Sequence, residues 1–123
     1  MEYSKEQEKI IAQQLIKHVQ KNKSIITYTS LSAKKGIEIE PDGFDEYLEK
    51  IGNNCKNHNI PLLPAIVVNY RRQHPGEGFY KAFYPELLNA DENTKRMKAR
   101  EDQQKVFAFD GWSQFLNCIT LNE

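Results

Sequence analysis

The sequence predicts an α+β fold, and three observations carry that prediction. Ile11, Leu15 and Val19 recur at four-residue spacing, the apolar stripe of an amphipathic helix. Behind Pro61 and Pro64, Ala65-Ile66-Val67-Val68 is an unbroken apolar run of β-branched character, which reads as a buried strand from about Ala65 to Tyr70. That run then breaks into Arg71-Arg72 and Pro75-Gly76-Glu77-Gly78, an exposed, charged loop with a stiff tip.

The first helix begins at Ser4, an N-cap with Gln7 three positions on, and Glu6 and Glu8 favour its positive first turn. Lys17, His18, Lys21 and Lys23 suit its negative end, and Asn22-Lys23 closes it. Ile25-Ile26-Thr27-Tyr28 is a short β-prone piece. Thr29 or Ser30 caps a brief helix through Leu31, Ala33 and Lys35, stopped by Gly36. After linking chain from Ile37 to Pro41, Asp42 and Asp45 form a capping pair for a third helix. Its apolar face is Phe44, Tyr47 or Leu48, Ile51 and Cys55, and Asn57, Asn59 and Pro61 close it.

Past the glycine-rich turn, Phe79-Tyr80-Lys81-Ala82-Phe83 returns as a second, irregular strand. Pro85 begins a fourth helix through Leu87 and Leu88, extending to Gln104, and its charged half from Lys95 to Asp102 is solvated. Val106-Phe107-Ala108-Phe109 is a last strand, and Trp112, Phe115, Leu116 and Ile119 form an apolar cap. There is no internal repeat and no low-complexity linker.

A chain of 123 residues is expected to form a single domain spanning 1–123. Folding buries roughly two-thirds of the unfolded surface at this size, enough for a core without metal or disulfides. Lysine plus arginine equals aspartate plus glutamate at 17 each, which argues against indiscriminate polyanion binding while leaving room for a local basic face. The two cysteines, Cys55 and Cys118, are far apart with apolar neighbours and read as reduced. With no apolar leader or membrane-length run, the expected location is cytoplasmic.

The order helix, short strand, helix, helix, strand, loop is the connectivity of a winged helix. The predicted architecture is therefore an α+β, winged-helix-like domain with an added helix and a C-terminal strand. The third helix takes the recognition position and the Arg71–Gly78 loop is the wing.

Three blocks carry a resemblance: Ile26-Thr27-Tyr28 with its short helix, Pro61-Leu62-Leu63…Val67-Val68-Asn69…Pro75-Gly76-Glu77-Gly78-Phe79, and Val106-Phe107-Ala108-Phe109-Asp110…Trp112. Together they resemble a small bacterial and phage-associated domain family, which implies a restriction, defence or mobile-element setting. That family's ending has Asp directly before Trp, whereas Gly111 intervenes here. The front half also looks like the winged-helix part of alkyltransferase-like DNA repair proteins. Active members carry a Pro-Cys-His-Arg motif where this chain reads Pro64-Ala65-Ile66-Val67, so the resemblance implies architecture and not alkyl transfer.

Catalysis and cofactors find no constellation. His18, His58 and His74 sit in separate elements and no cysteine has a second ligand at a zinc-site spacing. Cys55 and His58 share a helix face, as a core thiol beside a helix-end histidine does. Ser32, Ser113 and Cys118 have no base nearby in sequence. The carboxylates of Glu38-Ile39-Glu40 and of Glu46 to Lys50 echo a nuclease only faintly and read as a solvated face. Pro75 to Gly78 lacks the ending of a phosphate loop. No enzyme activity, cofactor, metal or small-molecule substrate is expected.

Binding has more support. Arg71, Arg72, Gln73 and His74 lie together on the expected wing, where arginine pairs with phosphates or enters a minor groove. Thr29 and Ser30, at a helix start, offer donors to a phosphate. Asn53, Asn54 and Lys56, with Asn57 and His58, make a polar end to the third helix, and asparagine reads adenine bidentately. Lys81 adds a cation beyond the loop. Against this, the same helix opens with Asp42, Asp45, Glu46 and Glu49, which phosphates would repel. The expected function is a non-catalytic module binding duplex DNA. The alternative is a phage or mobile-element protein that inhibits or adapts a host protein machine through the same loop, because Tyr70 to Tyr84 has the tyrosine and arginine content of interface centres.

Overall fold

The computed structural model describes residues 3–121, with side chains through residue 118. Within these bounds the chain is mainly helical, with six α-helices and a pair of two-residue strands. This overturns the α+β, winged-helix-like expectation: there is no hairpin wing and no C-terminal strand among the described residues.

The front follows its local chemistry. Helix α1 is Lys5–Asn22, capped by Ser4, whose Oγ accepts the Gln7 N–H at 3.2 Å. It ends where Lys23 turns left-handed (φ 47°) and donates its N–H to the Val19 carbonyl. Ile11, Leu15, Ile16 and Val19 are buried. Gln7 shares that face, and its amide bridges the Gly36 carbonyl and the Glu38 N–H at 3.0 and 2.8 Å, tying the linker to α1.

Strand β1 (Ile26–Thr27) leads directly into α2 (Tyr28–Ser32). The cap of α2 is Thr27, not Thr29 or Ser30: its Oγ1 accepts the Ser30 N–H at 3.1 Å. A 3-10 turn at Pro41–Gly43 precedes α3 (Asp45–Asn57). The expected Asp42–Asp45 capping pair does not form, because Phe44, buried in the core, occupies the N-cap position with no side-chain hydrogen bond. At the other end Asn59 adopts φ 56°, which lets the Ile60 N–H reach the Cys55 carbonyl at 3.0 Å.

Strand β2 is only Val67–Val68, since Leu63–Ile66 winds into a 3-10 turn led by Pro64 and Asn69 opens the loop. It pairs in parallel with β1, Ile26 opposite Val67 and Thr27 opposite Val68. A parallel pair sends both chains out of the same end, so α2 and the loop after Val68 emerge side by side.

The expected strand at residues 79–83 is helix α4 (Glu77–Phe83). Phe79 faces Phe83 at one helical turn, with centroids 5.4 Å apart, and Tyr80 and Tyr84 sit at the same spacing, so the true period of these rings is the helical one. Gly52 of α3 permits the packing: the Phe83 ring lies so close that a Cβ at residue 52 would stand 2.1 Å from its Cζ.

Pro85 starts a 3-10 turn that ends at Leu87, and Asp91, accepting the Thr94 N–H at 2.7 Å, caps a separate helix α5 (Glu92–Ala108). The expected strand at 106–109 is therefore mostly the last turn of α5. The expected solvated half of this helix is partly inside: Lys95, Ala99, Asp102, Gln103 and Val106 form its buried stripe. Gln103 donates to the Ala65 carbonyl at 3.0 Å, and Tyr84 donates to Asp102 at 2.5 Å. Helix α6 (Trp112–Leu121) closes the core with Trp112 and Phe115, its indole N–H bonded to the Val106 carbonyl at 3.0 Å. Leu116 packs against the same core, and the Ile119 side chain lies outside the described residues. Gly111 lets the Phe109 ring pack edge-on to Trp112, with centroids 4.8 Å apart.

The main core joins α1, α3, Leu63, Ile66, Val67, Val106 and Trp112. A second cluster of Ala65, Phe79 and Tyr80, flanked by Leu62, Phe83 and Leu88, seats α4 beside it. Truncating a fully buried ring such as Trp112 costs about 3–5 kcal/mol.

Candidate binding surface

The loop after β2 is a locked turn. Asn69 accepts the N–H groups of Arg71 and Arg72 on its side-chain oxygen at 3.0 and 3.2 Å. Its backbone N–H donates to the His74 carbonyl at 2.9 Å, and its carbonyl accepts from the Gln73 N–H at 2.8 Å. Gln73 turns left-handed (φ 60°), and its side-chain amide donates to the Tyr70 carbonyl at 2.6 Å.

His74 is the anchor beneath the turn, 2% exposed. Its Nδ1 lies 2.8 Å from the Pro75 carbonyl and 3.1 Å from the Tyr80 hydroxyl, and its Nε2 lies 2.5 Å from Glu92. Because Tyr80 gives its own proton to the Lys95 carbonyl at 3.0 Å, it is an acceptor toward the ring. The hydrogen bond from His74 holds the Glu92 carboxyl below the usual carboxylate range. Burial foremost pushes the Tyr80 hydroxyl well above its ordinary value. Buried, with both nitrogens engaged, His74 is a structural post and not an available base.

Cations gather above this post. Arg71 is exposed, and Arg72 lies 3.8 Å from Glu92 with both side chains about half exposed, an ion pair that contributes little and leaves the guanidinium accessible. Arg96, one turn into α5, donates from Nε to the Arg72 carbonyl at 3.3 Å and from Nη1 to Asn93 at 2.9 Å. The loop is thus joined to α5 at two points, Glu92 and Arg96, with Arg100 exposed one turn farther on.

Of the residues singled out from sequence, Arg71, Arg72 and Gln73 are exposed together, whereas His74 is buried beneath them. Thr29 and Ser30 are exposed on α2, which leaves β1 at the same end. Their helix α2 has only five residues, and the Ser30 N–H is already accepted by Thr27. Lys81 is exposed in the last turn of α4.

Asn53, Asn54 and Lys56 do not join this surface. Asp45, at the start of α3, abuts Gly78 at the start of α4, and Gly52 abuts Phe83 at its end, so the two helices run side by side in one direction. The polar end of α3 is therefore displaced along α4 from the loop. Asn53 and Asn54 border an open depression with Lys5, Lys50 and the carboxylates Glu8, Glu46 and Glu49. Burial raises the Glu8 carboxyl, offset by Lys50, and burial followed by Glu49 raises Asp45. Its mixed charges give it no excess of cations for phosphate.

Sequence reasoning missed Glu92 and Arg96 as members of this surface. The capping Asp91 was the available signal, because it starts α5 beside the loop. No group of three metal-ligating side chains occurs among the described residues, and no helix among them is long and apolar enough to cross a membrane. No protein-family model, curated protein or solved structure matches this chain.

Proposed function

We propose that this chain is a non-catalytic DNA-binding module whose contact surface is the Asn69–Gln73 turn and the adjoining side of α5. The observation that supports it is the convergence of Arg71, Arg72 and Arg96 on one rigid turn where Glu92, the carboxylate beside Arg72, is already bonded to His74. Guanidinium groups held on a fixed backbone suit phosphate oxygens, and their local excess coexists with a net charge of zero. The α3 helix has no part in this reading, because its acidic start and displaced polar end do not serve a groove. The restriction, defence or mobile-element setting implied by the resemblance is carried with the proposal.

The test is fluorescence anisotropy of short labelled DNA, in duplex and single-stranded form, titrated with the protein across a salt series. The expected result is binding whose salt slope falls by about one for each of Arg71 and Arg96 changed to alanine. Unchanged affinity and slope in Arg71→Ala with Arg72→Ala would refute the proposal.

A second reading, inhibition or adaptation of a host protein, is favoured by one observation. Tyr70 and Met97, 76% and 68% exposed, are the exposed large apolar side chains among the described residues, and they neighbour Arg71 and Arg96 in sequence. Stable co-purification of one host protein, lost in Met97→Asp, would select it.

A further inference from the structure

We propose, resting on the DNA reading above, that the DNA bound is unpaired and that one base stacks on the Tyr70 ring while Arg71, Arg72 and Arg96 hold the flanking phosphates. The ring is 76% exposed, and none of the ring–ring or cation–ring contacts among the described residues involves it. Other aromatic side chains in the second half of the chain, such as Phe79, Tyr80, Phe109 and Trp112, are packed against neighbours. Yet the backbone beneath Tyr70 is held by hydrogen bonds on both sides. Its carbonyl is bonded to the Gln73 amide, and the two N–H groups that follow are bonded to Asn69. An unpacked ring on a locked turn keeps the backbone-ordering cost out of the binding step.

The chemistry of this platform selects the strand form. A π-face is useful to a base only when that base is out of its helical stack, and in a duplex both faces of every internal base are covered. A tyrosine at a duplex surface meets only sugar and phosphate, which gain nothing from its face. On a single strand, successive phosphates pass within reach of cations beside the stacked base, and Arg71 and Arg72 follow the ring directly in the chain. Arg96 is fixed to the same turn through the Arg72 carbonyl. The exposed hydroxyls of Thr29 and Ser30, at the same end of the strand pair, extend the polar track. A protein partner would also accept Tyr70, but the local excess of guanidinium groups over carboxylates favours a polyanion.

The experiment compares a labelled single-stranded oligonucleotide with the duplex of the same sequence, using the full chain and its Tyr70→Ala, Tyr70→Trp and Arg71→Ala variants. Circular dichroism checks each variant, and an exposed ring leaves the fold intact when removed. The expected result is tighter binding of the single strand and a loss of roughly tenfold or more in Tyr70→Ala. Tyr70→Trp retains or improves affinity, and Arg71→Ala weakens both DNA forms and lowers the salt slope. If the duplex binds as well as the single strand, or Tyr70→Ala changes nothing, this inference fails while the DNA reading stands. If neither form binds, both fail together.

Discussion

His74 and Glu92 meet at 2.5 Å across the seam between the arginine turn and the first turn of α5. The contact joins a buried ring to a half-exposed carboxylate, so a surface charge is held in place from below. Arg72 adds a weaker contact to the same carboxylate from above. Glu92 therefore shares with Arg96 the task of fixing the turn against α5.

The pH dependence of stability follows from that contact with a definite sign. The folded protein holds the Glu92 carboxyl below its ordinary value of 4.5, chiefly through the His74 hydrogen bond. A depressed carboxyl contributes stability that is fully present above the unfolded value and lost as pH falls through the folded one. Glu8 and Asp45, raised by burial, act in the opposite sense, so the comparison must be made between proteins differing only at residue 92. The difference in urea midpoint between the wild type and Glu92→Gln should shrink as pH falls through and below the ordinary carboxyl value of 4.5. A gap that widens on acidification contradicts the assignment.

Packing between α3 and α4 gives a sharper expectation. At Gly52 an added methyl would stand 2.1 Å from the Phe83 Cζ, with two more ring carbons at 2.9 Å. Neither the helix backbone nor a ring within the second hydrophobic cluster yields cheaply. Gly52→Ala should lose about 1–3 kcal/mol in urea unfolding despite the better helix propensity of alanine. Combining it with Phe83→Leu should recover part of that loss, which identifies the ring as the obstacle.

What could be read from the residues, and what could not, follows from which forces decide each element. Helix α1 was legible because Ser4 caps it and Ile11, Leu15 and Val19 make a clean stripe. The turn at Arg71, Arg72 and Gln73 was legible as an exposed charged loop, since consecutive arginines have no other ready place. The α+β expectation failed where rings or polar groups disguised the period. Phe79, Tyr80, Phe83 and Tyr84 fit an alternating pattern almost as well as a helical one, and tertiary packing on Gly52 decided between them. In α5 the buried stripe contains Lys95, Asp102 and Gln103, so only Ala99 and Val106 carry an apolar signature. Their partners, the Tyr80 ring, the Tyr84 hydroxyl and the Ala65 carbonyl, are distant in sequence. The displacement of Asn53, Asn54 and Lys56 from the arginine turn likewise arises from helix packing that no local pattern records.

Thiol chemistry offers an independent check on the core. Burial pushes the Cys55 thiol up to about 12, and its side chain is fully enclosed. At pH 8 only about one molecule in ten thousand would carry a thiolate there, so Cys55 should resist iodoacetamide until the protein unfolds. Mass spectrometry of peptides after labelling, with and without denaturant, reads this directly. Rapid alkylation of Cys55 in the native state would mean that the α3 core face opens far more readily than its packing implies.

Gln103 tests the role of the polar stripe of α5. Its side-chain amide donates to the carbonyl of Ala65, within the 3-10 turn that precedes β2, at 3.0 Å and away from water. A leucine there keeps the volume and adds apolar area, so simple hydrophobicity predicts a gain. The hydrogen-bond account predicts the reverse. The Ala65 carbonyl would lose its donor inside the core, and an unmet buried acceptor costs about 1–3 kcal/mol. Gln103→Leu should therefore be less stable than wild type, and Gln103→Glu less stable again at neutral pH, since a carboxylate would face that carbonyl oxygen without a proton to share. Acidification should restore the glutamate variant in part, because a protonated carboxyl donates where the ionised one cannot. A leucine variant as stable as the wild type, measured by urea unfolding, would show that burial and not this bond fixes α5 against the strand turn.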